Sequence, residues 1–307
     1  MVQVIHQTIA QSPDRAAAMS PCLDAKAFKR QALGALGKLP PFSPIFSKLI
    51  TSLGAEDVSF ATLGDLIEKD AVLAGRLMGI VNSAMYARRS TINSVRHALS
   101  VLGIDKVRNT VLGMSVSCML NQAHMPPGWS MERFNKHSVA VATLSDLIAQ
   151  RTPGVEYPEG AFMAGLLHDM GRLLIAIGLP QEFQSMLREY QTSDLTWIEC
   201  EQKTLGFTHP ELSAAVMVAW RVPEPTLRAA AQHHDPEPPK AGVMGLGWVL
   251  HAANQYINSL GESILPVRKG DAAGSVWIES LGLDRAAVAL LLADFEKEHS
   301  AIAPYFR

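Results

Sequence analysis

Apolar residues recur at spacings of three and four along this chain, and residues 41–125 show no strict alternation of apolar and polar positions, so helices are expected and strands are not. A helix is predicted over 27–36, punctuated by Gly37 and Pro40. Residues 44–53 place Ile45, Leu49 and Ile50 on one face, and 59–67 follow a capping Ser59 with Leu63, Leu66 and Ile67. Asp70 is placed to cap a helix carrying Leu73, Leu77, Ile80 and Val81, and Asn82-Ser83 to turn the chain out of it, because short polar side chains compete for backbone groups. Ser94 caps a helix over 94–102 that Gly103 stops, and 106–120 form a further apolar helix.

The two prolines and the glycine of 124–128 mark a boundary. Beyond it a helix is predicted over 130–150, with Val139, Ala142, Leu144, Leu147 and Ile148 as its apolar face, then a loop over 152–158. Residues 181–207 read as two helices, with Asp194 as the cap of the second and Gly206 as its terminator. Pro210 opens a helix over 211–220, since proline suits a first helical turn. A short helix over 223–234 delivers His233 and His234 at its end, 245–260 form a strong core helix, and 285–298 are amphipathic. The pattern is helical throughout and leaves open only a minor hairpin.

One stretch departs from plain amphipathicity. Residues 161–175, AFMAGLLHDMGRLLI, are an apolar run interrupted by His168-Asp169 and followed by Gly171 and Arg172. An ionisable pair buried in such a run is costly unless it is ligated or hydrogen-bonded. The available partners are His137 before it and His209, His233 and His234 after it. Imidazole suits zinc, iron, copper or nickel, and a carboxylate extends the choice to manganese. Five histidines and one aspartate are enough ligands for two ions, which two-metal hydrolases place roughly 3.5–4 Å apart. The plainer reading is of ordinary core or surface histidines, as assumed for His6, His97, His124, His251 and His299. Asp146 and Glu201 either orient imidazoles or lie on solvated faces. Arg172 either meets a phosphate through two parallel hydrogen bonds or closes a salt bridge at a helix end.

The bulk numbers narrow the setting. The chain has 307 residues, 48% hydrophobic and 18% charged, which fits a protein with substantial cores and excludes a disordered one. A formal net charge of −2 supplies no global field for nucleic acid or an anionic membrane. Cys22, Cys118 and Cys200 are far apart, fit a reducing compartment and read as small buried hydrophobes. The N-terminus lacks a secretory pattern, and no apolar run approaches the ~20 residues of a membrane span. A cytoplasmic protein is expected.

The order His137, His168-Asp169, His209, His233-His234 resembles the HD superfamily of metal-dependent phosphohydrolases, with a histidine set like that of its HD-GYP branch. LPPFSPIFSKLI, IEKDAVLAGRLMGIVNSAMY and INSVRHALSVLG resemble the HDOD family, the HD-related output domain of bacterial signalling proteins. So do GLLHDMGRLL, the run from Glu201 through Gly206 to His209, AWRVP and QHH. The likeness covers about residues 38–260 and rests on many short motifs in one order. It implies an all-α fold of two packed helical subdomains: an N-terminal extension at 1–37, a helical subdomain at 38–127, an HD-type metal-site bundle at 128–260 and a C-terminal helical extension at 261–307.

The resemblance also implies a regulatory module of bacterial signal transduction, a family generally regarded as lacking hydrolase activity because its ligand set is often eroded. Here the set His137, His168, Asp169, His209, His233 and His234 is complete, so one or two ions of iron, manganese or zinc are expected. Three features depart from the active enzymes: Asn254 stands where a final aspartate is usual, Arg172 where HD-GYP proteins have lysine, and PELSAAV follows His209 in place of the GYP-type loop. Asp235 is a weaker candidate for the missing ligand, and hydrolysis of cyclic-di-GMP is not expected. The leading reading is a module that binds a partner signalling protein, supplied by another polypeptide or by a second copy in a homodimer. The alternative is a metal-dependent phosphohydrolase acting on a nucleotide or phosphoester, with Asp169 and Arg172 as candidate catalytic residues. A third is a sensor that binds a nucleotide without cleaving it. Neither nucleic-acid binding nor membrane insertion is indicated.

Overall fold

In the computed structural model, residues 25–39, 48, 60–82, 92–120, 125–237, 242–265 and 274–306 are described. Asp70 accepts hydrogen bonds from the amides of Val72 and Leu73, Ser94 from that of His97 and Ser130 from that of Arg133, so three helices start where short polar residues precede apolar runs. The elements of the first half are α1 (Ala25–Gly34), α2 (Phe60–Glu68), α3 (Ala71–Val81), α4 (Val95–Leu102) and α5 (Ile104–Leu120). Asn82 closes α3 and ties it forward, donating to the Ile92 carbonyl and accepting from the Ile92 amide. The expected helix over 44–53, apart from Lys48, lies outside the described residues, as do Ser59, Ser83, His6, His124, Cys22 and the Cys118 side chain; Cys200 is buried.

The second half contains α6 (Met131–Arg151), α7 (Ala161–Leu167), α8 (Met170–Gly178), α9 (Pro180–Thr192), α10 (Trp197–Leu205), α11 (His209–Ala219), α12 (Glu224–Gln232), α13 (Leu246–Ser259), α14 (Val276–Glu279) and α15 (Arg285–Ile302). The cap of α10 is Thr196, not Asp194. Thr196 and Glu199 satisfy each other's backbone amides in a capping box, and Asp194 sits too early to reach them. No hairpin forms among the described residues; Val155 and Met244 make an isolated parallel bridge.

Helix α6 is the shared spine. Phe134, Val139 and Ala142 face one core, built with residues of α1 to α5 and α8 to α11, while Val141, Leu144, Leu147 and Ile148 face a second core with α13 and α15. A helix apolar on both sides is necessarily interior. Helix α7 packs against it at Gly165, where a Cβ would fall 2.5 Å from the Ala142 Cα. Only glycine permits that approach. The stretch Pro158–Gly178 is, against expectation, long and apolar enough by composition to cross a membrane. It is 89% buried within the protein and carries His168-Asp169 at its centre, so it serves as core.

On the side of α6 away from His137 lies a polar cavity of about 540 Å³, lined by Asp105, Lys106, Arg108, Asn109, Asp146 and Gln150 among others. Asp146 accepts a 2.9 Å hydrogen bond from Gln150, and Lys106 is paired with Glu298 of α15. Burial pushes the Asp146 carboxyl up to about 6, against the pull of Lys106. The folded state therefore binds this proton more tightly than the unfolded chain, and the contribution to stability is lost as pH rises from about 4 through 6. Asp146→Asn is expected to stabilise the protein at pH 7.5 by roughly 2 kcal/mol, with no gain at pH 4. Paired denaturant titrations of the two proteins at both pH values check this.

Candidate metal centre

The apolar run 161–175 is two helices rather than one. Helix α7 ends at Leu167, Asp169 leaves the helical region at φ −102° and ψ 13°, and α8 begins at Met170. Asp169 therefore occupies an N-cap position yet makes no capping hydrogen bond. The amide it would ordinarily serve, that of Gly171, donates instead to Ser213 Oγ at 2.8 Å, which leaves the carboxylate to turn inward. Gly171 also allows α8 to meet α11: a Cβ there would fall 2.1 Å from the His209 carbonyl oxygen.

Around Asp169 the elements deliver five imidazoles. Helix α6 supplies His137, the α7–α8 break His168, the first residue of α11 His209, and the end of α12 His233 and His234. Asp169 Oδ2 lies 3.7 Å from His137 Nε2 and 3.4 Å from His168 Nε2. Its Oδ1 lies 3.0 Å from His209 Nε2 and 3.7 Å from His233 Nε2, and His234 Nε2 approaches His209 Nε2 at 3.1 Å. The donors thus form two groups that share Asp169: His137, His168 and Asp169, and Asp169, His209, His233 and His234. His168, His209 and His233 are fully buried, and His137 and Asp169 nearly so.

Protonation follows from the outer partners. The Nδ1 atoms of His137, His168 and His233 each face a backbone carbonyl at 2.7 Å, those of Glu262, Gly165 and Ala230. His209 Nδ1 faces Glu201 Oε2 at 2.7 Å. Carbonyls and carboxylates only accept, so each Nδ1 carries the proton, and each Nε2 faces Asp169 with a lone pair wherever the ring is neutral. The lone pairs of His137 and His168 then oppose each other at 3.3 Å, and buried His233 Nε2 has no hydrogen-bond partner. Protonating the rings does not relieve this at neutral pH. Burial, reinforced by His168, pulls His137 down to about 4, and burial with neighbouring imidazoles holds His233 and His234 well below their ordinary range. Burial opposes the charge on Asp169, but Arg172, His168 and His209 outweigh it and hold the carboxyl well below the usual range.

A buried carboxylate ringed by imidazole Nε2 atoms is a donor set that could hold a cation. Metal–nitrogen bonds of about 2.0–2.1 Å space neighbouring ligands about 3 Å apart, as His209 Nε2 and Asp169 Oδ1 are at 3.0 Å. The residues fit a borderline transition metal with nitrogen and oxygen ligands, the class of zinc, iron and manganese.

All six expected ligands meet. Of the residues with two readings, Glu201 orients an imidazole: it is fully buried, takes the Nδ1 proton and backbone amide of His209, and is itself fixed by Trp197 Nε1 at 2.6 Å. Asp146 does not belong to the cluster. Arg172 forms the salt bridge, its Nε 3.0 Å from Asp169 Oδ1. Asp235 is in neither donor group, and Asn254 is buried with its side-chain oxygen accepting from Asn258. Sequence reasoning passed over Ser213 and Glu262, and His251 is the structural residue it was read as. His251, set between the rings of Trp248 and Trp277, donates from Nδ1 to the His233 carbonyl at 2.7 Å and so fixes the end of α12.

The family model of the HDOD domain matches residues 39–236. An HDOD domain protein of unknown function from Geobacter sulfurreducens has the same fold, with a TM-score of 0.72 and 22% identity over 92% of this chain and 98% of that one. A protein from Marinobacter aquaeolei VT8 provisionally called a signal transduction protein gives 0.70 and 22% over 94% and 68%. One from Shewanella amazonensis SB2B provisionally called a phosphohydrolase gives 0.70 and 19% over 90% and 98%. An uncharacterized protein of Treponema pallidum (strain Nichols) is 21% identical over 181 residues, 58% of this chain and 34% of that protein, so the chain spans about a third of that curated relative.

Two substitutions test the geometry. Gly171→Ala is expected to destabilise the fold by at least the ~1–3 kcal/mol of an overpacked core, read from a denaturant midpoint. Glu201→Gln keeps volume but weakens the acceptor for His209, and is expected to lower metal affinity roughly 10–100-fold in a chelator competition.

Proposed function

Because this chain belongs to the HDOD domain family, we propose that it is a cytoplasmic regulatory module of bacterial signal transduction that binds a partner signalling protein, with one or two transition-metal ions held in its second half. The observation that carries this reading is enclosure. Four of the five imidazoles and the carboxylate are buried, and none of the six donors lines the polar cavity beside α6 or the second cavity of about 290 Å³ beside α12 and α13. Arg172, the residue best placed to steady a phosphate, is committed to Asp169. A bound ion supplies a Lewis acid that the convergent lone pairs can share. The chain's own residues do the rest: Glu201, Ser213 and the carbonyls of Gly165, Ala230 and Glu262 hold the donors in register, and α6, the α7–α8 break, α11 and α12 are thereby joined at one point.

Elemental analysis of the purified protein is expected to find about one or two ions of iron, manganese or zinc per chain by the two-site reading of the donors, and none in the folded His168→Ala, Asp169→Ala double variant. The same variant is expected to keep binding the partner protein. No metal after anaerobic purification and reconstitution removes the metal from this proposal.

A second reading, a metal-dependent phosphohydrolase acting on a nucleotide or phosphoester, is favoured by His234, the one donor in partial contact with solvent. In it Asp169 and the imidazoles hold the ions, and Arg172 exchanges its contact with Asp169 for a phosphoryl oxygen. Turnover of a phosphoester panel with added manganese, iron or zinc, abolished by Asp169→Ala in a folded protein, would replace the non-catalytic reading with this one.

A further inference from the structure

Three of the four Nδ1 acceptors in the cluster are local. His168 bonds the carbonyl three residues before it, His233 does the same, and His209 bonds Glu201 of the preceding helix, eight residues away. His137 differs: its acceptor, the Glu262 carbonyl, is 125 residues away. Glu262 also lies beyond the family match, which ends at 236. It sits in the irregular stretch after α13, anchored below by buried Ile264 and Leu265. Its side chain reaches α15, where His299 Nε2 stands 3.6 Å from Glu262 Oε2. His299 in turn stacks on buried Phe295 of the second core, with ring centroids 5.4 Å apart and planes 16° from parallel. The next residue back, Glu298, pairs with Lys106 of α5. A chain of contacts thus runs from the C-terminal helix to one metal-facing imidazole.

That contact decides a tautomer. While the Glu262 carbonyl holds the Nδ1 proton, His137 Nε2 is a lone pair available to a cation. Without that carbonyl the ring is free to carry its proton on Nε2, 3.3 Å from the His168 lone pair and 3.7 Å from Asp169 Oδ2. Such a proton satisfies the same acceptors that a cation would, and so competes with it.

We propose that α15 regulates the metal centre: Glu262, which α15 meets through His299 at 3.6 Å, is a positioning residue whose carbonyl fixes the Nδ1–H tautomer of His137, and releasing α15 weakens metal binding at His137–His168–Asp169 while sparing Asp169–His209–His233–His234. This rests on the metal reading above, and the test separates the two. The variants are His299→Ala, Glu262→Ala and the conservative Glu262→Gln; the Glu262 side chain is 41% exposed and its two substitutions leave the core intact, so they control for the ring that His299→Ala removes from Phe295. Long-range proton–nitrogen spectra of the metal-free protein report the tautomer, with the His137 signal assigned by its absence in His137→Gln. Manganese and zinc titrations report the two sites.

The expected result is an Nδ1–H pattern for His137 in the parent and in Glu262→Gln, lost in the two alanine variants. Affinity is expected to fall about 10–100-fold at one site only, the range seen when ligand-orienting groups are removed. An unchanged tautomer, or equal loss at both sites, overturns the proposal. A tautomer change in a parent that takes up no metal overturns the metal reading and, with it, the regulation of a metal site by α15.

Discussion

Everything in the second half of this protein answers to one electrostatic problem: an ionised Asp169 placed where water does not reach. A carboxylate taken from water into a protein interior loses several kcal/mol of solvation unless partners replace it. Here Arg172 replaces it on one oxygen, and the imidazole nitrogens that face both oxygens do so once a proton or a cation lies between. The imidazoles carry their own difficulty, because outward Nδ1 protons leave inward lone pairs with nothing to bond. His233 Nε2, buried and without a hydrogen-bond partner, shows the difficulty most plainly. The break between α7 and α8, the proline-led start of α11 and the end of α12 are three different helix termini brought to that point.

The fold was legible in the chain to the extent that it is local. Asp70, Ser94 and Ser130 announce helices because capping acts over three residues, and Gly103 and Gly206 end them for equally local reasons. Asp194 misled because an aspartate before an apolar run looks like a cap whether or not its carboxylate can reach the helix; Thr196 wins through the reciprocal bond with Glu199. The six donors were legible too, because histidines beside apolar runs stand out against the pattern. Glu201 was half-legible, since it precedes a candidate ligand by eight residues. Ser213 and Glu262 were not, because each acts through a main-chain atom or on one, and no residue type marks a backbone carbonyl. Asp146 kept the second of its two readings, a polar face away from the imidazoles; helical spacing places it opposite His137 but does not mark the cavity it lines.

The centre also bears on how a full histidine set sits with the proposed regulatory role. Complete ligation and catalytic exposure are separate properties. This chain keeps five histidines and Asp169 together in the interior, with Arg172 turned to the carboxylate and Asn254 bonded to Asn258 rather than to the cluster. Such a site is suited to holding helices together, and its occupancy becomes a statement about the arrangement of the helices around it.

Helix α6 gives that arrangement a mechanical reading. His137 and Asp146 are nine residues apart, which at about 100° per residue puts them on opposite sides of one rod. His137 faces the donor cluster and Asp146 the polar cavity, with the helix wedged between two cores. A rigid rod between two packed surfaces behaves as an axle: any roll that swings His137 in one direction must swing Asp146 in the other. The two polar environments are thereby geared together without sharing a contact.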